Sequence, residues 1–337
     1  MYIQKAISIH KEYEELVDAG VAKELCRIVL PMNLYTVFYW EANNGMTDIG
    51  TLGGGSTSAY GINDSGQVVG LSPWPTSSDN YHAFIWQSGS GMLDLGTLGG
   101  SHSAAYAINN NGQVVGNSTP LGDTEYARFL WQNGSMVEMN FGGTPNAINN
   151  AGKVVGTTSP GMSRAFLWQN GVTADLGTLG GPGAFGFGIN DSDQVIGGSH
   201  IADGTIMAFL WQQGTMMNLG SFGGYSTARG INDYGLVVGE SGTLIYGQSH
   251  AFIWQDGIGM TDLNNFLPSN SGWELINATA INESGAIAGF GTINGQRHAF
   301  LMAPTSVVPI PAAVWLFGSG MVGLFGFIRR GRRKVVS

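Results

Sequence analysis

The chain is poor in cysteine and in charge. Cys26 is the single cysteine among 337 residues, and charged residues make up only 11%. One cysteine excludes a disulfide scaffold and a cysteine-based zinc site. The net charge of −9 makes a nucleic-acid partner unexpected. The chain also lacks a nucleophile elbow, a P-loop, a zincin motif and a dinucleotide fingerprint, so the sequence predicts no cofactor.

Glycine is abundant, with 54 residues, and aromatic residues make up 11%. No Gly-X-Y period accompanies the glycine, which excludes collagen. The hydrophobic fraction of 43% is too high for a mostly disordered chain. This composition indicates an all-β protein with many tight turns.

Charge divides the chain into three parts. Residues 1–30 hold nine charged residues, whereas 31–328 hold eighteen acidic and only five basic residues. A basic cluster ends the chain and consists of Arg329, Arg330, Arg332, Arg333 and Lys334. We therefore separate a charged head (1–33), an acidic body (34–303) and a tail (304–337).

The body is an internal repeat, recognised by an Ile-Asn pair that recurs every 40 to 50 residues. The pairs begin at Ile62, Ile108, Ile148, Ile189, Ile231 and Ile281. Each is followed by a short apolar run such as Val68-Val69-Gly70, then by an aromatic phrase such as Phe84-Ile85-Trp86. A fourth phrase, such as Asp94-Leu95-Gly96, completes the clearest units.

Each unit contains four short segments that are typical of strands and are bounded by turn residues. Four antiparallel strands in about 42 residues are typical of one blade of a β-propeller. The last unit lacks its fourth strand, and the body begins with a spare one. We therefore predict six blades, closed by pairing of residues near 46–52 with the strand near 298–302. Seven blades is the alternative, because Phe38–Trp40 is a seventh aromatic phrase.

These phrases resemble the HAF repeat of bacterial extracellular proteins. The His-Ala-Phe triplet that gives the repeat its name begins at His82, His250 and His298. The resemblance covers about residues 34–302. It implies an exported repeat protein, from a family that carries no established activity.

The tail contains an uncharged segment, residues 312–328, followed at once by the basic cluster. Seventeen residues is the lower limit for a transmembrane helix. Basic residues beside a span normally stay in the cytoplasm, which would place the body outside. A plain membrane anchor and a buried segment of the propeller are the alternatives.

The segment directly before this span resembles the PEP-CTERM sorting signal. Its Pro-x-Pro motif lies at Val308, Pro309, Ile310 and Pro311, where Ile310 replaces the glutamate that names the signal. The resemblance implies processing by exosortase, a membrane protease or transpeptidase. It also implies a destination in the envelope or biofilm matrix of a Gram-negative bacterium.

The head does not look like an export signal, because it lacks a basic start followed by an apolar core. Apolar residues at every fourth position predict a short amphipathic helix over 8–30, which Pro31 ends. We interpret the head as a misassigned start or a fusion scar. A genuine head, with export by another route, is the alternative.

Repeated polar and aromatic residues are the candidate site residues. The equivalent His82, His250 and His298 could bind a metal or, more simply, hydrogen-bond to neighbouring turns. Asp64, Asp191 and Asp233 could bind Ca²⁺, or cap their turns. Four aspartates share one position in the fourth phrase of the repeat and are expected to make half-buried hydrogen bonds. They are Asp48, Asp94, Asp175 and Asp262. The repeated tryptophans are predicted to pack in the core and not to stack against sugars. They are Trp86, Trp131, Trp168, Trp211 and Trp254. The sequence therefore assigns no catalytic residue and no metal site.

The sequence favours a non-catalytic surface or matrix protein that presents a propeller for binding, with exopolysaccharide as the candidate ligand. The body's five basic residues are scattered along the sequence, which argued against an enzyme. The alternative is a polysaccharide lyase or glycoside hydrolase with its site in the central channel.

Overall fold

The computed structural model describes residues 36–38, 47–75, 77–122, 125–158, 161–245 and 247–304. These residues form six four-stranded antiparallel sheets, which confirms the predicted six blades and excludes the seven-bladed alternative. The one helical element in this part of the chain is a 3₁₀ turn, Leu263–Phe266. The predicted helix over 8–30, the span 312–328 and the sorting motif lie outside the described residues. No helix within them is long and apolar enough to cross a membrane.

The strands follow one another outward through each blade. Blade 1 is β2 (Ser58–Ile62), β3 (Val68–Trp74), β4 (Ser77–Gln87) and β5 (Gly91–Asp94). Blade 2 is β6 (Gly99–Ile108), β7 (Val114–Pro120), β8 (Ala127–Gln132) and β9 (Ser135–Met139). Blade 3 is β10 (Thr144–Ile148), β11 (Val154–Thr157), β12 (Ala165–Gln169) and β13 (Val172–Asp175).

The second half repeats this order. Blade 4 is β14 (Ala184–Ile189), β15 (Val195–His200), β16 (Ile206–Gln212) and β17 (Thr215–Asn218). Blade 5 is β18 (Gly223–Ile231), β19 (Val237–Thr243), β20 (Ser249–Gln255) and β21 (Gly259–Asp262). Blade 6 is β22 (Trp273–Ile281), β23 (Ile287–Ile293), β24 (Gln296–Ala303) and, from the other end of the body, β1 (Thr36–Phe38).

The two ends of the body share blade 6, as predicted, but the predicted residues are wrong. Thr36–Phe38 pairs with Leu301–Ala303, in place of a strand near 46–52. Thr-Val-Phe is β-branched and aromatic, which suits a strand. Asp48 instead accepts a hydrogen bond from Gly50 N–H at 2.9 Å. Asp94 does the same for Gly96 at the end of β5.

The core lies between blades and is built from the repeated phrases. The phenylalanine of each aromatic phrase is almost fully buried: Phe84, Phe129, Phe166, Phe209, Phe252 and Phe300. The Val-Val-Gly run is explained by close approach of strands. A Cβ on Gly116 would lie 2.0 Å from the carbonyl oxygen of Ala104 and 2.9 Å from the Phe129 ring. Glycine is therefore required where the strand crosses that ring.

The seam between blades 6 and 1 is more open than the others. Ile62 of blade 1 is 69% exposed, whereas its equivalent Ile108 in blade 2 is 8% exposed. Ala299 of blade 6 is likewise exposed, although the equivalent Ala83 and Ala251 are fully buried. The shared blade joins the two ends of the body without burying this last seam as deeply as its neighbours.

Candidate functional site: the central channel

The first strand of each blade lies nearest the axis, because consecutive first strands contact one another around the ring. We call the end of the channel that carries the Asn turns, such as 63–66, the lower rim. The opposite end, where the second and third strands of each blade connect, is the upper rim. The candidate site residues divide between these two ends.

The lower rim is held together by a chain of asparagine hydrogen bonds. Asn63 Nδ2 donates to the carbonyl of Asn109 at 3.0 Å, and Asn109 donates to that of Asn149 at 2.9 Å. The pattern continues at Asn149, Asn190 and Asn232. Each asparagine also accepts from its own turn, as Asn63 Oδ1 does from Ser65 and Gln67 N–H. The repeated asparagine therefore joins neighbouring blades.

The aspartates considered as Ca²⁺ ligands also connect the turns of neighbouring blades at the lower rim. Asp233 Oδ1 accepts from Asp191 N–H, and Asp191 Oδ1 accepts from Asn150 N–H, each at 2.8 Å. Asp64 Oδ2 accepts from the side chain of Asn110 at 2.6 Å. These carboxylates thus bind the turn of the neighbouring blade. No group of three or more metal-ligating side chains occurs among the described residues.

Two of the three repeated histidines pair with the repeated aspartates inside their own blades, whereas His298 contacts the Trp273 ring edge-on at 6.3 Å. His82 Nδ1 lies 3.0 Å from Asp94 Oδ2, and His250 Nδ1 lies 2.6 Å from Asp262 Oδ2. Arg164 makes the equivalent pair with Asp175 at 2.9 Å. His82 and His250 are thus hydrogen-bonded to an aspartate of their own blade and not to the turn of a neighbouring blade. This pairing also explains why the two phrases recur together.

Four of the five repeated tryptophans pack in the core or against it, namely Trp131, Trp168, Trp211 and Trp254. Trp254 is 6% exposed, and Trp131 packs against the cluster that contains Phe129. This agrees with the preferred interpretation of the repeated tryptophans. The channel takes its aromatic residues from positions that vary between blades.

Six equivalent β-bulges line the channel. In each first strand the pairing register shifts around one residue, for example between Ala59 and Gly61. The bulged residues are Tyr60, Tyr106, Asn146, Phe187, Arg229 and Thr279. We call them the channel ring. A bulge re-aims the side chain that it carries, and here the same bulge carries five different residue types in the six blades.

Neighbours in the channel ring contact one another across blades. The rings of Tyr60 and Tyr106 lie 6.0 Å apart. The guanidinium of Arg229 lies 5.0 Å above the Phe187 ring. Asn146 Nδ2 donates to the carbonyl of Gly186 at 2.7 Å. These contacts place the ring side chains together on the axis side of the blades.

Tyrosine is concentrated on blades 1 and 2. Tyr81 and Tyr126 occupy equivalent positions before the aromatic phrase, and their hydroxyls lie 2.8 Å apart. Together with Tyr60 and Tyr106 they form what we call the tyrosine cluster. Tyr60 is 52% exposed and Tyr126 is 43% exposed. The cluster therefore offers aromatic surface and hydroxyl groups to a ligand that enters the channel.

Tyr81 and Tyr106 keep their protons at neutral pH. Burial, with the hydrogen bond to Tyr126, raises the pKa of Tyr81 to about 12. Burial also raises the pKa of Tyr106, and the neighbouring Tyr60 and Tyr126 add to the effect. Neutral hydroxyls both donate and accept hydrogen bonds. The cluster is suited to polar, uncharged groups such as sugar hydroxyls.

Arg128 is the clearest departure from the repeat. It occupies the position held by alanine in the five other blades, namely Ala83, Ala165, Ala208, Ala251 and Ala299. It pairs across the sheet with Asn117, whose Nδ2 lies 3.4 Å from the hydroxyl of Tyr106. Its guanidinium donates to the carbonyl oxygens of Tyr126 and Gly143. Arg128 therefore joins the tyrosine cluster to blade 3.

Sequence reasoning missed the channel ring and Arg128. The bulged position holds five different residue types in the six units, so no recurring motif marks it in the sequence. Arg128 was noted only as one of several scattered basic residues. An alignment of the six units would have revealed it, because arginine replaces alanine at a position that the other units share.

Comparisons with known proteins find two separate similarities. The family model for Thymidylate synthase complementing protein matches residues 1–44. A flavin-dependent thymidylate synthase of Thermotoga neapolitana is 59% identical over 34 residues, which are 10% of this chain and 16% of that protein. The chain thus spans about a sixth of that relative. The family match covers the head and the first residues of the body, including the closing strand Thr36–Phe38, and ends before the first Ile-Asn pair at Ile62.

The body is similar in fold to solved propellers. An acylaminoacyl peptidase of Pyrococcus horikoshii matches with a TM-score of 0.49 at 11% identity, covering 74% of this chain and 45% of that one. The propeller domain of the Trilobed protease of Pyrococcus furiosus matches with a TM-score of 0.48 at 9% identity, covering 73% and 80%. At such identities the likeness concerns the fold alone.

The prediction that the protein is not an enzyme needs correction. The similar solved propellers include peptidases, a gluconolactonase and sialidases, which stands against that prediction. The ground for the prediction also fails physically. Basic residues that are scattered in sequence meet the channel residues in the fold, as Arg128 does beside Asn117 and Arg229 does above Phe187.

Proposed function

We propose that the body binds exopolysaccharide in its central channel. The channel ring carries this proposal, because six equivalent bulges place two tyrosines, a phenylalanine, an arginine and two small polar residues around one axis. Aromatic rings supply contact area at a low cost in side-chain entropy. Hydroxyl, amide and guanidinium groups supply the hydrogen bonds that orient a sugar.

We further propose that the protein is an exported HAF-repeat protein sorted by exosortase. The support lies in the sequence of the tail, where Pro309 and Pro311 adjoin the uncharged segment 312–328 and the basic cluster. The destination would be the envelope or biofilm matrix, with transient anchoring in the inner membrane and the C-terminus in the cytoplasm. A channel that binds polysaccharide is consistent with that destination.

A reaction on the bound polysaccharide is the second candidate. It is favoured by blade 2, where Tyr106, Asn117 and Arg128 meet in the one unit that carries a charge at the alanine position. A lyase suits these residues better than a glycoside hydrolase. A hydrolase uses a pair of carboxylates, and none of the six residues of the channel ring is acidic. The nearby Glu240 is already paired with Arg229 at 3.0 Å.

One experiment separates these candidates. The full chain is applied to an array of bacterial exopolysaccharides, and each bound polysaccharide is then incubated with it and analysed by size-exclusion chromatography. We expect saturable binding to at least one polysaccharide. Shortened products with absorbance of a new carbon–carbon double bond would establish the lyase. Absence of binding to every polysaccharide on the array would contradict the proposed function.

A further inference from the structure

The position of Arg128 is unfavourable for an arginine unless it has a further task. Burial lowers the pKa of its guanidinium, although the negative charges that Tyr106 and Glu125 can carry oppose this effect. A partly buried charge without a paired carboxylate is costly. The five alanines at the equivalent positions show that the fold itself does not require a charge there.

Three of the four other basic side chains of the body have acidic partners, and the fourth, Arg297, lies 3.7 Å above the Phe290 ring. Lys153 Nζ lies 2.6 Å from Asp193, Arg164 pairs with Asp175, and Arg229 pairs with Glu240. Arg128 forms no such ion pair with the described residues. Its guanidinium donates from Nε to the carbonyl of Gly143 and from Nη1 to the carbonyl of Tyr126. The remaining N–H groups, including both on Nη2, are available to an acceptor.

The surroundings of Arg128 define what that acceptor can be. Asn117 and Tyr106 lie beside it, and the tyrosine cluster extends from it along blades 1 and 2. A guanidinium with a free edge matches a carboxylate with two hydrogen bonds. The body as a whole is acidic, with eighteen acidic and five basic residues over 31–328. A single carboxylate in a mostly neutral chain therefore fits better than a polyanion.

We propose that Arg128 recognises the carboxylate of a uronic acid unit, while the tyrosine cluster contacts the neighbouring neutral sugars. This inference rests on the proposed binding of polysaccharide in the channel, and it names the substrate class of that site. Asn117 and the hydroxyl of Tyr106 would position the same sugar unit beside the guanidinium.

The test uses two matched probes and the full-length protein. One probe is a xylo-oligosaccharide that carries a single glucuronate branch. The other is the same molecule with its carboxyl group reduced to the alcohol. Affinities are measured by isothermal titration calorimetry at two salt concentrations. We expect the wild-type protein to prefer the glucuronate probe by about tenfold, the range of a hydrogen bond to a charged group.

The decisive variant is Arg128→Ala, which introduces the residue of the five other blades and is therefore compatible with the fold. It should bind the two probes equally and keep wild-type affinity for the reduced one. Arg128→Lys, which keeps the charge but loses the planar fork, should keep only part of the preference. Arg164→Ala is the matched control, because it removes an arginine of the neighbouring blade that already pairs with Asp175, and it should leave the preference unchanged.

The outcomes separate the two proposals. If the wild-type protein binds both probes equally, or Arg128→Ala keeps the preference, the assignment of Arg128 is wrong while polysaccharide binding stands. If neither probe binds and the polysaccharide array is also negative, the proposed function itself fails. Circular dichroism of each variant verifies that the propeller is retained.

Discussion

The side-chain amide of Asn109 donates to the backbone carbonyl of Asn149 at 2.9 Å, across the seam between blades 2 and 3. The oxygen of the same amide accepts from the N–H groups of Asn111 and Gln113 within its own turn. Asn109 is only 3% exposed. One buried side chain thus fixes a turn and joins two blades.

Replacing Asn109 by alanine should destabilise the propeller by about 3 kcal/mol, because it removes several buried hydrogen bonds and leaves their partners unsatisfied. Urea unfolding followed by tryptophan fluorescence measures the change. Asn110→Ala is the matched control at the next position, where the side chain is exposed, and it should cost about 1 kcal/mol or less. Equal losses for the two variants would show that the buried asparagines do not hold the blades together.

The open seam between blades 6 and 1 predicts that equivalent isoleucines differ in how much they stabilise the fold. Ile108→Ala should cost about 3 kcal/mol, because it leaves a cavity in a packed seam. Ile62→Ala should cost less than about 1 kcal/mol, because this side chain is 69% exposed. Both variants are compared by thermal and urea unfolding. A similar loss at both positions would mean that blades 6 and 1 pack as tightly as the other pairs in solution.

The pairing of His82 with Asp94 predicts a dependence of stability on pH. Burial would raise the pKa of Asp94, but hydrogen bonds from His82 and Gly96 N–H outweigh it, and the pKa is lowered. A carboxylate with a lowered pKa in the folded state stabilises the fold above its ordinary pKa of about 4. That contribution is lost as the pH falls through the lowered value.

Asp94→Asn should therefore reduce the free energy of unfolding at neutral pH by about 1 kcal/mol. It should also flatten the loss of stability below about pH 4, so that the variant and the wild-type protein converge in acid. Urea unfolding between pH 7 and pH 2 measures this. Asp256→Asn, an exposed carboxylate in the turn after β20, is the control and should follow the wild-type curve. A parallel offset of the Asp94→Asn curve at every pH would contradict the explanation.

The proposed sorting signal in the tail predicts how the chain is processed. In a host with exosortase, and with a working signal peptide, the tail should be removed near Val308–Pro311. Replacing Pro309 and Pro311 by alanine should leave an uncut, membrane-bound form, since neither proline lies within the uncharged span. Mass spectrometry of the surface protein decides the matter. Wild-type protein that still carries Arg329–Ser337 would support a simple anchor instead.

The repeat made much of the fold predictable. The number of blades, the four strands of each and the shared last blade follow from the recurrence of Ile-Asn and from the phase of its ends. The residues of the closing strand did not follow, because residues 45–48 (Gly-Met-Thr-Asp) match the fourth-strand phrase Gly91–Asp94 of blade 1, whereas the strand that pairs is Thr36–Phe38. Pairing with Leu301–Ala303 depends on contacts that are distant in sequence.

The site was less predictable for a related reason. Repetition revealed His82 and Asp94, which hold a blade together, and the asparagines of the lower rim, which join blades. The channel ring depends on what differs between units, such as Tyr106 in one blade and Arg229 in another. Only the fold shows that these differing residues share one axis, because each sits on the same bulge.

Binding of a neutral oligosaccharide to the channel tests the central claim most directly. The carboxyl-reduced xylo-oligosaccharide is titrated into the wild-type protein, the double variant Tyr60→Ala/Tyr106→Ala, and Tyr234→Ala. Tyr234 is 78% exposed on a turn of the lower rim and serves as the matched control. Channel binding predicts a loss of affinity of about tenfold or more for the double variant and none for Tyr234→Ala. Undiminished affinity of a folded double variant would contradict the account.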